Sequence, residues 1–216
     1  MRRHGEEGFT LIELLVVTVL LGVVGSVVTT SLVHSMQVSR ATSERTLALT
    51  DIERSLQVVG RELRIAEQVI LDTDGQFDER IAAQITRDGT FQIHTFTIEQ
   101  EDPDDADGIQ FLFLSIVEYD RDEVNSVGFG EATPITLPRR RLITDVDNGI
   151  EAVFTYHTPD GTEIDCDPEV PGQCRDAYGN ANQIGIRLVR NLDGQEPIRA
   201  ETRVTVRNLR YQRLGS

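Results

Sequence analysis

The sequence predicts an α+β protein in which one long N-terminal helix, its first half apolar enough to cross a membrane, leads into an antiparallel β-sheet head. Three observations carry that expectation. Residues 9–33 (FTLIELLVVTVLLGVVGSVVTTSLV) form a run with a single ionisable side chain, Glu13. Residues 49–70 place apolar side chains at alternating steps of three and four, the period of a helix with one buried face. From Phe77 onward the period shortens to two, and Gly, Pro, Asn and Asp punctuate the chain.

Taken in order, residues 1–8 (MRRHGEEG) are a short polar leader. The 9–33 stretch follows; at about 1.5 Å of rise per helical residue it reaches roughly 37 Å, against a hydrocarbon core of about 30 Å. Arg2 and Arg3 flank it on the N-terminal side, which favours a cytoplasmic N-terminus and an exported remainder. A secretory signal peptide fits poorly, because no alanine precedes Ala41 and the leader carries Glu6 and Glu7. A plain anchor explains the hydrophobicity and not Glu13. A charge at mid-membrane costs on the order of 2.5–3.5 kcal/mol, less near an end, so such a residue usually has a partner and a task.

Residues 34–71 continue the helix as an amphipathic half. Leu49, Ile52, Leu56, Val59, Leu63, Ala66 and Ile70 form its apolar stripe, with Arg54, Gln57, Arg61, Glu62 and Arg64 on other faces. The turn Asp72-Thr-Asp-Gly75 is expected to end it near Leu71. A coiled coil would need the pattern to last longer, so packing against a sheet is the expected use. Residues 72–216 then form the β-rich head. Strands are expected at 91–99, 109–119, 150–157, 183–190 and 198–207. The 109–119 segment (IQFLFLSIVEY) is apolar on both faces and should be central. Ile150, Ala152, Phe154 and Tyr156 alternate with Glu151, Thr155 and His157, which predicts a half-buried strand leading into the turn Thr158-Pro-Asp-Gly161. The last two strands read as a hairpin around Asn191-Leu-Asp-Gly194. Every connection reads as a hairpin or a loop, hence an antiparallel sheet.

Composition narrows the chemistry. The chain has 216 residues, a formal net charge of −15 and 39% hydrophobic side chains, enough for one modest domain with a core plus a membrane segment. Such a charge disfavours direct nucleic-acid binding and broad contact with anionic lipid. All 21 basic residues are arginine, which excludes Schiff-base chemistry, a Walker lysine and Ser-Lys catalysis. The histidines are scattered and Gly128-Phe-Gly130 has no third glycine, so a loop explains it better than a phosphate cradle. Charge is unevenly spread: residues 72–131 hold 16 acids against 3 arginines, and residues 187–213 hold 7 arginines against 3 acids. These stretches read as solvated faces, or as surfaces that order neighbouring subunits.

Cys166 and Cys174 are the only cysteines, in a turn-rich stretch. An exported domain makes a disulfide between them feasible, with two free thiols as the alternative. They do not suffice for structural zinc, which takes four ligands. Asp102–Asp107, Asp120–Glu123 and the pair Asp145 and Asp147 supply oxygen ligands for calcium, without the spaced pattern that ends in a bidentate glutamate; solvated acidic loops are the alternative. No other cofactor is expected.

The junction Gly8-Phe9-Thr10-Leu11-Ile12-Glu13-Leu14-Leu15, followed by the long apolar run, resembles the prepilin-type processing and methylation signature of type IV pilins and type II secretion pseudopilins. The resemblance implies that a prepilin peptidase cuts between Gly8 and Phe9, that Phe9 becomes the methylated N-terminus, and that Glu13 pairs with the terminal amine of a neighbouring subunit. It implies a pilin-like fold with the helix docked on an antiparallel sheet. Val59-Gly-Arg-Glu-Leu-Arg64 and Thr202-Arg-Val-Thr-Val-Arg-Asn-Leu209 are similar to segments of minor pilins of the W type and pseudopilins of the J type. The implied partners are the prepilin peptidase, other pilins or pseudopilins, an inner-membrane assembly platform and the lipid bilayer. The implied location is a single pass in the bacterial inner membrane, then a pilus or pseudopilus serving secretion, motility, adhesion or competence for DNA uptake. Such a subunit is a substrate of processing enzymes and not itself an enzyme. The competing expectation is a membrane-anchored extracellular enzyme or ligand-binding module that uses the helix only as an anchor.

Overall fold

The computed structural model describes residues 10–71, 79–100, 110–149, 151–165, 178, 181–192, 195–207 and 209–211. The chain divides into two compact units, Met1–Leu47 and Ala48–Ser216. Helix α1 (Leu11–Ile65) supplies all described residues of the first unit but Thr10. In the second unit it is followed by β1 (Gln68–Leu71), β2 (Arg80–Arg87), β3 (Thr90–Gln100), β4 (Gln110–Asp120), α2 (Arg121–Val127), β5 (Ile135–Thr136), β6 (Arg140–Val146), β7 (Phe154–His157), β8 (Gln183–Arg190), β9 (Ile198–Thr205) and β10 (Leu209–Tyr211). The α+β class and the antiparallel character of the head follow the expectation.

Two sheets form among the described residues. The larger runs β10-β1-β2-β3-β4-β5, with β6 also on β4; the smaller runs β7-β8-β9. β4 is central, as its two apolar faces predict: it pairs with β3 over its whole length and with β5 and β6 on its other edge. Every pairing is antiparallel except β1 with β10, where Val69 lies beside Leu209 in parallel register. That exception joins segments far apart in sequence, and a rule about short connections has no view of it.

The core fills the space between α1 and the sheets. Ile52, Leu56, Val59 and Leu63 of the helix pack in one cluster with Ile81 and Ala83 of β2, Phe96 of β3, Leu112 and Leu114 of β4, and Ile184, Ile186 and Leu188 of β8. The predicted stripe is therefore the buried face, except that Ala48 replaces Leu49, which is exposed, at its start. Gly60 faces Val204 of β9, where a Cβ would stand at ordinary contact distance, 3.4 Å.

The helix stops at Ile65 and not near Leu71. The Glu67 amide donates to the Gln84 carbonyl of β2 (2.9 Å), and Gln68–Leu71 pairs residue for residue with β2. Val69 and Ile70 are buried as strand residues. Four residues that prolong a helical stripe fit a strand equally well when a sheet edge is at hand. β2 carries Ile81, Ala82 and Ala83 buried in succession, so it has no alternation by which to be found. β7 begins only at Phe154 and is buried on both faces: Thr155 and His157, expected on the solvent side, are enclosed, His157 completely. The Thr158–Gly161 turn forms as expected, the Gly161 amide donating to the Thr158 carbonyl at 2.9 Å. Gly128 closes α2 at φ 86°, its amide donating to the Val124 carbonyl, and Phe129 then packs on Phe91 and Tyr119.

Gly185 explains how two polar side chains fit inside β7. It lies opposite Thr155 in the ladder, and a Cβ there would collide with the Thr155 hydroxyl and stand 3.0 Å from His157 Nε2. That hydroxyl and Nε2 are themselves 3.0 Å apart, a hydrogen bond laid across the glycine. Gly185→Ala should therefore lower the unfolding free energy of the head by about 1–3 kcal/mol through overpacking. Chemical denaturation of the purified full-length protein, wild type beside variant, measures it.

Candidate functional site

Two features stand out: the start of α1, and the polar contacts by which its second half meets the sheets. Gly8 and Phe9 lie outside the described residues. Thr10 precedes the helix and its Oγ1 accepts the Glu13 amide (3.3 Å), so Glu13 occupies the first turn of α1. Thr-x-x-Glu is the spacing of a capping box, and a carboxylate there also faces the positive end of the helix dipole. Glu13 thus stands where a carboxylate favours the helix start.

Beyond it, Leu14, Leu15, Val19, Leu20, Val23 and Val27 are all exposed, and the helix is long and apolar enough to cross a membrane. The hydroxyls in this stretch turn inward. Thr18 donates to the Leu15 carbonyl, Ser26 to Val23, Thr29 to Gly25 and Thr30 to Ser26, at 2.8–2.9 Å. A hydroxyl satisfied by the preceding turn does not need water, which removes most of its penalty in lipid.

In the second unit the helix meets the sheet through a polar pair that its sequence position disguised. Glu62, expected on an outer face, is 3% exposed. Its Oε2 lies 3.5 Å from Nδ1 of His94 on β3, itself 3% exposed, at ion-pair distance but outside hydrogen-bond geometry. The Arg61 guanidinium holds Glu62 Oε1 at 2.6 Å. His94 Nε2 meets Gln92 Oε1 at 3.1 Å, and the Gln92 amide donates to Glu118 of β4 at 2.6 Å. One polar chain thus crosses α1, β3 and β4. Its signals were present: Glu62 stands three residues after Val59, on the edge of the stripe, and His94 shares strand parity with Phe96 and Ile98.

Burial pushes the His94 pKa below its ordinary value, aided by Arg87 and Arg61 and opposed by Glu62 and Glu118. The imidazole is therefore neutral near pH 7.

Among the described calcium candidates, Asp120, Asp145 and Asp147 accept bonds from protein donors. Asp145 Oδ2 takes an Arg190 amine at 3.1 Å, so an ion there would have to displace Arg190. Asp147 accepts the Gly149 amide at 3.1 Å and bonds Asn191 through its other oxygen. Asp120 caps α2, accepting the amides of Asp122 and Glu123. Asp102–Asp107 and both Cys166 and Cys174 lie outside the described residues. The arginine-rich C-terminal strands are locally neutralised by acids from elsewhere in the chain: Arg187 and Arg199 by Glu151, and Arg190 by Asp51 and Asp145, while Arg203 faces Glu201.

A family model described as the prokaryotic N-terminal methylation motif matches residues 3–29. No curated protein matches the chain. Residues 11–29 of that match lie on the exposed apolar helix of a helix-plus-antiparallel-sheet architecture consistent with a pilin-like fold; the motif is of the prepilin type, and the helix is suited to membrane anchoring.

The buried histidine sets a pH dependence. The unfolded chain, with a histidine pKa near 6.5, takes up a proton that native His94 refuses. The stability this residue contributes is complete above about pH 6.5 and is lost as pH falls toward the lowered native value, at up to about 1.4 kcal/mol per pH unit. Melting temperatures measured at pH 7.5 and 5.5 should fall less for His94→Gln than for wild type.

Proposed function

We propose that the chain is a minor pilin or pseudopilin of the W or J type, a structural subunit and not an enzyme. In this reading a prepilin peptidase removes residues 1–8, Phe9 is methylated, and the mature chain is drawn from the inner membrane into a pilus-like or type II secretion pseudopilus fibre by an assembly platform. The observation that carries it is the methylation motif at residues 3–29 on a helix whose apolar side chains are exposed. In a fibre those side chains exchange lipid for one another, and Glu13 meets the terminal amine of a neighbour.

Processing is tested by intact mass: the mature protein should lack residues 1–8 and carry one added methyl group. Replacing Gly8 with a bulky residue should leave the full-length precursor in the membrane, because a Cβ at the cut site obstructs the peptidase cleft.

Glu13→Gln separates assembly from anchoring. Loss of the first-turn carboxylate should weaken the helix start by only about 0.3–1 kcal/mol. Loss of a buried partner in a fibre strands a charge at about 3–5 kcal/mol. Cleavage and membrane abundance should stay normal, while the variant's share in sheared fibres or crosslinked subunit complexes drops sharply. Equal incorporation of both forms overturns the charge-pairing role of Glu13, whereas absence of both forms from any fibre supports the helix as an anchor for an extracellular module instead.

A further inference from the structure

Arg54 of α1 and Arg140 and Arg141 of β6 line a pocket of about 260 Å³ with Ser55 and Asp51. Its two walls are stitched together: the buried Ser55 hydroxyl lies 2.8 Å from the Asp51 carbonyl within the helix and 3.1 Å from the Leu142 carbonyl on the strand. The Arg141 guanidinium lies over the Phe111 ring at 4.0 Å, on the face of the sheet away from the core, so Arg54 and Arg140 are the cations the pocket offers. Asp51, the one carboxylate on the wall, already faces Arg190 at 3.5 Å. Among the described residues no carboxylate pairs with Arg54 or Arg140. This happens in a chain with 36 acids to 21 arginines, where Arg187, Arg190, Arg199 and Arg203 each face an acid.

Arg54 and Arg140, without a carboxylate partner among the described residues and set on walls joined through Ser55, suit planar anions that take two donors at once. The pocket holds a few side chains, whereas a nucleic acid duplex needs a basic stripe along its phosphates and would meet the repulsion of a −15 surface. We propose that the pocket receives an acidic segment of a neighbouring subunit, two or more carboxylates close together in sequence, and so fixes the register of adjacent heads. This rests on the reading of the chain as a fibre subunit.

The test uses the full-length protein in detergent micelles and a fluorescently labelled tetra-aspartate peptide with blocked ends, read by anisotropy. Wild type should bind it in a salt-sensitive manner; Arg54→Gln and Arg140→Gln should each lose roughly tenfold, the effect of one charge-assisted contact. Arg121→Gln, an exposed arginine on α2, should bind like wild type. No binding by wild type, undiminished binding by the double variant, or displacement by inorganic phosphate at equal charge concentration would overturn the proposal, the last in favour of a small-anion site. In cells the double variant should be cleaved after Gly8 as wild type is, yet enter sheared fibres several-fold less. Equal entry of both forms overturns the assignment to a neighbouring subunit. Absence of wild type from any fibre would instead bring down the assembly reading, and the peptide titration would still report on the pocket.

Discussion

One helix must satisfy two solvents. α1 is continuous from Leu11 to Ile65, yet its side chains obey lipid-like rules as far as Val33 and core rules from Ala48 onward, with a polar stretch between. The first part is apolar all round, and its side chains are exposed. The second must be selective, since Ile52, Val59 and Leu63 are each fully enclosed and each contributes about 1.5–3 kcal/mol by leaving water. The sheets are arranged to supply that enclosure: β2, β3, β4, β6, β8 and β9 all place apolar side chains in the cluster around it.

Glu62 and His94 interrupt this apolar interface. A buried polar pair is weak evidence for stability, because removing both groups from water offsets much of their attraction. What it supplies is discrimination between registers. A helix slipped by one turn would still bury leucine and isoleucine, but it would carry the Glu62 carboxylate, with Arg61 beside it, away from His94, and a buried polar group that loses its neighbours costs more than an imperfect apolar contact. Ser55, bonded to the Leu142 carbonyl, acts in the same sense one and a half to two turns earlier.

The parts of the fold that a sequence displays by periodicity were legible: the apolar run, the stripe from Ile52 to Ala66, the central strand β4 and the β8–β9 hairpin. The parts set by tertiary pairing were not. Gln68–Leu71 carries no feature that separates a last helical turn from an edge strand, and only the neighbouring Gln84 carbonyl decides. Thr155 and His157 alternate with apolar residues and so look solvent-facing, until Gly185 makes room for them. At the candidate site, the start of α1 was readable from Thr10 and Glu13 because the relevant contacts are local. The arginines of β8 and β9 looked like a bare basic face because their acids, Glu151, Asp145 and Asp51, are remote in sequence.

The parallel pairing of β1 with β10 has a kinetic consequence. Val69 and Leu209 are 140 positions apart, so the outer edge of β1 gains its partner only after nearly the whole head has been synthesised. Until then the strand that directly follows the helix offers unpaired amides and carbonyls to any extended chain nearby. The ladder between β2, β3 and β4 is local and closes early, whereas this one closes last. The interval between those two events is when strand exchange between molecules competes with correct folding, and its length is set by the rate at which the rest of the chain is delivered and not by the stability of the finished head.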